Sequence, residues 1–354
     1  MYGIPVDIDD ITPLWLNAHC DLGGHVATAH AERIAEGVGL LAQLGRVHLT
    51  YTSGIGPSTV IVKLASSIPE VIEMAQMFGF YEREVSFYRE AADQLGNVPR
   101  CHFADMAPTT APFVLVLEDL GHHRMVDQLH GCNANDAHDV MRAAARQHAK
   151  FWANRRLDKL TWLPMVNNEK YKAAQGQYNH FFPAFVERYG DRISSYSMHV
   201  AEGLKTTINM LQDRWFERGP LTLAHYDLRL DNVMFDDAGE VYFIDYQLSA
   251  KQLGAFDVAY FIGWSMTDEV RREITPSLIA TYHDALVKEG VEGYSAEQCE
   301  DDVRDTLLGV ATMAAFGSVA TVAVNERGQA LQDALVERTF ATVDDLQAGD
   351  FLSH

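Results

Sequence analysis

The sequence predicts an α+β fold: a small antiparallel β-rich part at the N-terminal side, followed by a larger, mainly helical part. Three observations carry that prediction. Short β-rich runs punctuated by glycine fill Ala31 to Leu64. An almost uninterrupted apolar run, Phe113-Val114-Leu115-Val116-Leu117, reads as a central strand. Beyond it the apolar residues recur at mainly helical spacing.

Taken in order, Thr12-Pro13-Leu14-Trp15-Leu16 opens a helix, with Thr12 as N-cap and Pro13 at the first helical position. A strand up to Glu36 follows, then a glycine-containing turn and a strand around 45–51. Ser53-Gly54-Ile55-Gly56-Pro57 makes the next turn and Thr59 to Leu64 the third strand. Pro69 to Leu95 carries Met74, Met77, Phe78, Tyr81, Val85 and Tyr88 at helical spacing. Helices are expected over 137–154, 177–218 with breaks, 276–289 and 296–324. One β interruption is expected at 232–235 and 241–246, joined by the turn Asp236-Asp237-Ala238-Gly239. A hinge near Glu118 to Gly121 divides the chain into 1–119 and 120–354.

Length and composition suit this organisation. The 354 residues can bury a large core in two domains or one two-lobed unit, and 47% hydrophobic with 22% charged residues is ordinary for a globular enzyme. A formal net charge of -21 excludes a nucleic-acid partner, since no basic stripe is present to neutralise phosphates. Such acidity keeps a chain in solution; it would also steer a cationic substrate. Cys20, Cys101, Cys132 and Cys299 are scattered without a C-x-x-C pair, which favours reduced thiols and a cytoplasmic location. Met1 to Asp10 carries three Asp and no basic residue, so it does not read as a signal peptide. The charge-free stretch 307–324 is long enough to span a bilayer, but its Gly, Ala, Thr and Ser content reads as a buried helix, and no membrane partner is expected.

The segment that carries chemistry is His225-Tyr226-Asp227-Leu228-Arg229-Leu230-Asp231-Asn232, which fits H-x-D-L-x-x-x-N. Asp227 is placed to accept or orient the proton of an attacking hydroxyl, and Asn232, on the same loop, to offer an amide oxygen to Mg2+. Asp245 ends the apolar strand Val241-Tyr242-Phe243-Ile244, where kinases place their second metal ligand, and is expected to be that ligand. Burial of an acid there is costly without a cation. Lys63 closes Val60-Ile61-Val62-Lys63-Leu64, where a lysine meets the α- and β-phosphates of a nucleotide. Its partner is expected to be Glu84, with Glu82 and Glu90 as competitors. Gly37-Val38-Gly39 lies in a near match to G-x-G-x-x-G, so backbone N–H groups at Gly37 and Gly39 can approach phosphate, although an ordinary hairpin turn looks the same.

These residues resemble the aminoglycoside phosphotransferase and choline-kinase superfamily, most closely its ecdysteroid-kinase-like branch. The resemblance covers nearly the whole chain: Gly56-Pro57-Ser58, Val62-Lys63, Arg83-Glu84, Phe87-Tyr88, Leu115 to Leu120, Asp127-Gln128, Gly131-Cys132, His148 to Trp152, His225 to Asn232, Asp245-Tyr246-Gln247 and Asp257 to Tyr260. It implies a two-lobed protein-kinase-like fold, ATP or GTP as phosphoryl donor, a base held near Glu118 and Leu120, and Asp257 as a stabiliser rather than a reactant. The acceptor it implies is a small-molecule hydroxyl, on a hydroxylated apolar or steroid-like compound, with aminoglycoside, choline and hydroxyacyl compounds as alternatives. One departure is Tyr226, where the family usually has glycine. A nucleotide-binding pseudokinase is the alternative of another class, but such proteins typically lose the catalytic or metal-binding acid, and this chain has both.

The remaining polar residues suggest less. His122-His123 lacks ligands at metal spacing and reads as a loop pair; His148 reads as a core histidine. Arg229 and Asp231 either contact ligand or fix the loop through a local ion pair.

Overall fold

The computed structural model describes residues 3–34, 41–108, 112–320 and 325–353. The chain divides into two compact units, Met1–Arg124 with Tyr242–Leu248, and Met125–Val241 with Ser249–His354. The first unit thus takes in a short segment that lies far along the chain from the expected cut at 119/120.

In the first unit, α1 (Pro13–His19) starts where Thr12 accepts the Trp15 N–H at 3.2 Å. Five antiparallel strands follow: β1 (Gly24–Ile34), β2 (Ala42–Gly54), β3 (Thr59–Ala65), β4 (Cys101–Met106) and β5 (Phe113–Glu118). They lie in the order β1-β2-β3-β5-β4. The period-two alternation of β3 buries Val60, Val62 and Leu64 against Val114, Val116, Trp15 and Leu16. Lys63 therefore points to the opposite face of the sheet.

The single helical stretch expected from Pro69 to Leu95 is three helices: α2 (Pro69–Phe78), α3 (Phe80–Glu90) and α4 (Ala92–Leu95). Gly79, at φ 70°, takes the left-handed conformation that ends α2, and α3 restarts in a new direction. β1 begins at Gly24, before the expected start, and its expected end at Glu36 lies outside the described residues.

The second unit is built from α5 (Ala134–Phe151), α6 (Arg155–Lys159), α7 (Glu169–Lys172), α8 (Ala174–Tyr189), α9 (Ser195–Arg218), α10 (Ala255–Trp264), α11 (Asp268–Lys288), α12 (Ala296–Ala320) and α13 (Glu326–Asp345). Strands Leu221–Ala224 and Ala250–Leu253 pair antiparallel. Asn133 caps α5 through the Asp136 N–H, and Ser194 caps α9 through Ser197. The turn at Asp236 is closed by its N–H to the Glu240 carbonyl at 3.0 Å, with Gly239 at φ 84°.

Every residue of α10 is buried, so this helix carries no amphipathic stripe for sequence reading to detect. α11 begins eight residues before Pro276 and carries the proline in its interior. The charge-free stretch weighed as a span lies largely in α12, where Leu307, Leu308, Val310, Ala311, Ala314 and Ala315 are buried. No described helix is long and apolar enough to cross a membrane.

Candidate active site

In the first unit the chemistry gathers around Lys63. Its ammonium lies 2.7 to 2.8 Å from the Glu84 carboxylate and 3.0 Å from Asp245 Oδ1. Glu82 and Glu90 are exposed on α3, so Glu84 is the acid that meets the lysine. Burial works to lower the Lys63 pKa, but Asp245 and then Glu84 outweigh it and hold the ammonium above its ordinary value. Burial pushes the Glu84 carboxyl up to about 7, against the pull of Lys63.

Helix α3 positions this group from one face. Arg83 donates from Nη1 to the Gln247 carbonyl at 3.0 Å and from Nη2 to the Phe78 carbonyl at 2.8 Å. Phe87, one turn on, stacks on Tyr246 with ring centroids 3.7 Å apart. The segment Asp245-Tyr246-Gln247 is thus gripped by backbone and ring at once. Asp245 itself sits at φ 67°, a conformation that costs a residue with a Cβ about 1–2 kcal/mol.

In the second unit the loop His225–Asn232 is fixed from beneath by Asp257, which is fully buried. Its carboxylate accepts the N–H groups of His225 at 2.7 Å and Tyr226 at 2.8 Å. His148 Nε2 lies 3.0 Å from the same carboxylate, and His148 Nδ1 lies 2.8 Å from the Tyr282 hydroxyl. Leu230 N–H is taken by the Gln128 side chain at 2.7 Å. Gly254, just before α10, has no room for a side chain: a Cβ there would meet the Tyr282 hydroxyl and lie 2.7 Å from His148 Nδ1.

Asp227 is held by neutral donors. Tyr260 donates its hydroxyl to Oδ1 at 2.7 Å, and Asn232 Nδ2 donates to Oδ2 and to the Asp227 carbonyl, both at 2.9 Å. Burial, and then the charge of Asp227, keep the Tyr260 phenol well above its ordinary pKa, so it remains a donor. Arg229 stands off, its Nε 3.7 Å from Asp227 and its Nη2 3.6 Å from Asp231.

Tyr226 explains its own departure from glycine. It adopts φ 68°, the left-handed region that glycine enters without strain. Here the ring stacks flat on Phe256, with centroids 4.3 Å apart and planes 5° apart, and meets Tyr171 edge-on. Aromatic contact of about 0.5–1.5 kcal/mol offsets most of the backbone cost.

Of the other expected residues, Glu118 is exposed and ends β5, with its N–H given to the Arg100 carbonyl at 2.8 Å. Leu120 is buried, and its carbonyl accepts from His123 N–H at 2.8 Å. Gly37 and Gly39 lie outside the described residues. Arg83 and Tyr260 fall within segments that carry the resemblance, but residue patterns gave neither of them a role.

Carboxylate and amide oxygens are the donor types that magnesium takes. Asp245 offers a carboxylate. The Asn232 amide nitrogen is committed to Asp227, which leaves its oxygen as the coordinating atom. Beside Asp245, Gln247 Nε2 donates to Oδ2 at 3.3 Å, while its buried Oε1 has no hydrogen-bond partner. Among the described residues no group of three or more His, Cys, Asp or Glu is arranged to hold a metal ion.

A β-rich unit carrying a strand lysine, and a helical unit carrying an H-x-D-L-x-x-x-N loop, define a kinase-like small-molecule phosphotransferase. The family model described as the ecdysteroid kinase-like family matches residues 36–291, and the chain belongs to that family. Among solved structures, a putative aminoglycoside phosphotransferase from Ralstonia eutropha is similar at 14% identity and a TM-score of 0.53, over 95% of this chain and 97% of that one. Spectinomycin phosphotransferase APH(9)-Ia, in complex with ADP and spectinomycin, is similar at 12% identity and a TM-score of 0.52, over 98% and 99%. The gentamicin–APH(2″)-IIa complex is similar at 13% identity and a TM-score of 0.54, over 99% of each chain. These likenesses confirm the fold expected from sequence. No curated protein matches the chain significantly.

Proposed function

We propose that the protein moves the γ-phosphoryl group of ATP, with GTP as the alternative donor, onto a hydroxyl of a hydroxylated apolar small molecule. The observation that carries this reading is Asp227, oriented by Tyr260 and Asn232 on a loop whose backbone is locked to Asp257. Asp227 orients the acceptor hydroxyl and takes its proton as the oxygen bonds to the γ-phosphorus. The bond from that phosphorus to the bridging oxygen breaks, and the nucleoside diphosphate leaves with its electron pair. Lys63, braced by Glu84, binds the α- and β-phosphates. Asn232 and Asp245 would each offer an oxygen to magnesium, which would supply neutralisation of phosphate charge. The description of the family supports a kinase acting on a hydroxylated apolar acceptor. The test is transfer of label from γ-labelled ATP to a panel of alcohols, with and without a chelator. Transfer that persists after complete magnesium removal would sink the metal roles of Asn232 and Asp245.

A further inference from the structure

Both side chains that donate to Asp227 sit on short or terminal structure whose ends need support. Asn232 closes the 3₁₀ turn Leu230–Asn232, and Tyr260 lies on α10, one turn before that helix ends at Trp264. Arg229, at the N-cap of the turn, makes no side-chain cap bond. The Trp264 carbonyl is among those that a helix leaves without an internal partner.

One side chain serves both ends. Gln128 accepts the Leu230 N–H through Oε1 and donates from Nε2 to the Trp264 carbonyl, each at 2.7 Å. It is 1% exposed, so water does not compete for either bond. Its own backbone lies in a turn, outside any helix or strand. That turn is held from α13. Arg338 donates from Nη1 to the carbonyls of Gln128 at 2.9 Å and Trp264 at 3.0 Å, and from Nη2 to the Leu129 carbonyl at 2.6 Å. Arg338 and Gln128 thus grip the same helix end.

The chemistry of Arg338 is unusual for a structural contact. None of these bonds goes to a carboxylate, and burial holds the guanidinium below its ordinary pKa against the pull of Asp268. Desolvating a cation without a close counter-charge is costly, and packing alone would be served by an apolar side chain. What the guanidinium adds is several directed N–H donors and positive charge at a helix C-terminus. Arg338 lies beyond residues 36–291, so the family match does not cover it.

Resting on the kinase reading above, we propose that Arg338 is a positioning residue for phosphoryl transfer, acting on Asp227 through Gln128. Its guanidinium fixes the Gln128 backbone against the end of α10. The Gln128 side chain then fixes the turn that carries Asn232. Asn232 and Tyr260 hold the Asp227 carboxylate in the orientation from which it meets an acceptor hydroxyl.

The test compares the full-length wild type with Arg338→Met, Gln128→Leu, the double variant and Arg338→Lys. Amide hydrogen exchange of the turn Leu230–Asn232 is followed by mass spectrometry, with the segment 204–211 of α9, which buries Leu204, Ile208 and Leu211, as internal reference. Hydrolysis of magnesium-ATP, with water as the acceptor, gives kcat and KM. Arg338→Met and Gln128→Leu should each speed exchange in the turn about tenfold and leave α9 unchanged. Each should lower kcat about tenfold with KM for ATP within about twofold, and the double variant should fall no further than Gln128→Leu alone. Arg338→Lys, which keeps a cationic donor, should recover most of both effects. Exchange that rises equally in α9 and the turn would leave Arg338 a general structural role and overturn the proposal. Unchanged exchange in the turn would overturn it too, as would effects on kcat that multiply in the double variant. A wild type that neither hydrolyses ATP nor transfers its phosphate would overturn the kinase reading instead, with the exchange data still deciding whether Arg338 holds the loop.

Discussion

The two units hold their acids in opposite ways. In the first, Lys63 meets two carboxylates, so charge is balanced by charge. In the second, Asp227 and Asp257 accept from a phenol, an amide and backbone N–H groups, with a histidine ring beside Asp257, while Arg229 stands 3.7 Å from Asp227. The difference suits the tasks proposed for the two residues. A lysine that must meet phosphate can exchange one anion for another. A carboxylate that must take a proton would lose basicity beside a tightly paired cation, whereas neutral donors orient it and cost less of that basicity. Geometry is fixed in one unit by ion pairing and in the other by hydrogen bonds.

The largest effect should come from breaking the neutral side. Asp227→Ala is expected to lower kcat by about 10²–10⁴-fold while nucleotide affinity, read by calorimetry, stays within about twofold. A variant that turns over like the wild type would remove Asp227 from the chemistry. Next comes Asp257→Ala, which strips two backbone N–H groups and His148 of their shared acceptor. Denaturant unfolding should show a loss of about 3–5 kcal/mol. An unchanged midpoint would mean that the loop is held by other contacts.

The charged side should be the one that responds to pH. The Glu84 carboxyl is pushed up from an ordinary 4.5 to about 7, so the native state holds its proton more tightly than the unfolded chain does. Its contribution therefore makes stability fall as pH rises from about 4.5 to about 7 and leaves it level above. Lys63 is raised, so its contribution is complete below its ordinary pKa of 10.5 and fades only at more alkaline pH. Because an ionised Glu84 braces Lys63, kcat/KM for nucleotide should decline below about pH 7. Glu84→Gln should flatten that limb at a level roughly tenfold lower. A limb of unchanged shape in the variant would assign it to another group. The smallest effect is expected at Tyr226. Replacing it with glycine relieves the left-handed backbone but loses the Phe256 stack, and stability should move by about 1 kcal/mol or less. A much larger loss would show that the stack, not the backbone, governs the loop.

Sequence reading recovered these features unevenly, for physical reasons. The strand of Lys63 and the loop of Asp227 were legible because period-two burial and the spacing demanded by phosphoryl transfer both leave marks on neighbouring residues. Glu84 was preferred to Glu82 and Glu90 from sequence, and α3 buries it while exposing the other two. α10 was invisible as a helix because it is buried all round. α13 was missed because Thr339 and Thr342 belong to its buried face and blur the pattern. Tyr260 sits in that featureless α10, and its role comes from Asp227, which it touches across a chain separation no motif spans. Strand β4 is half-buried throughout, without the alternation that marks β3.

Gly254 shows how narrow the tolerance beneath the loop is. A methyl group there would strike the histidine and tyrosine that stand behind Asp257. A library randomised at this codon and selected for activity should return glycine alone, even though the residue touches no substrate and has no functional group. In this protein an absence of atoms is as much a requirement of the chemistry as any carboxylate.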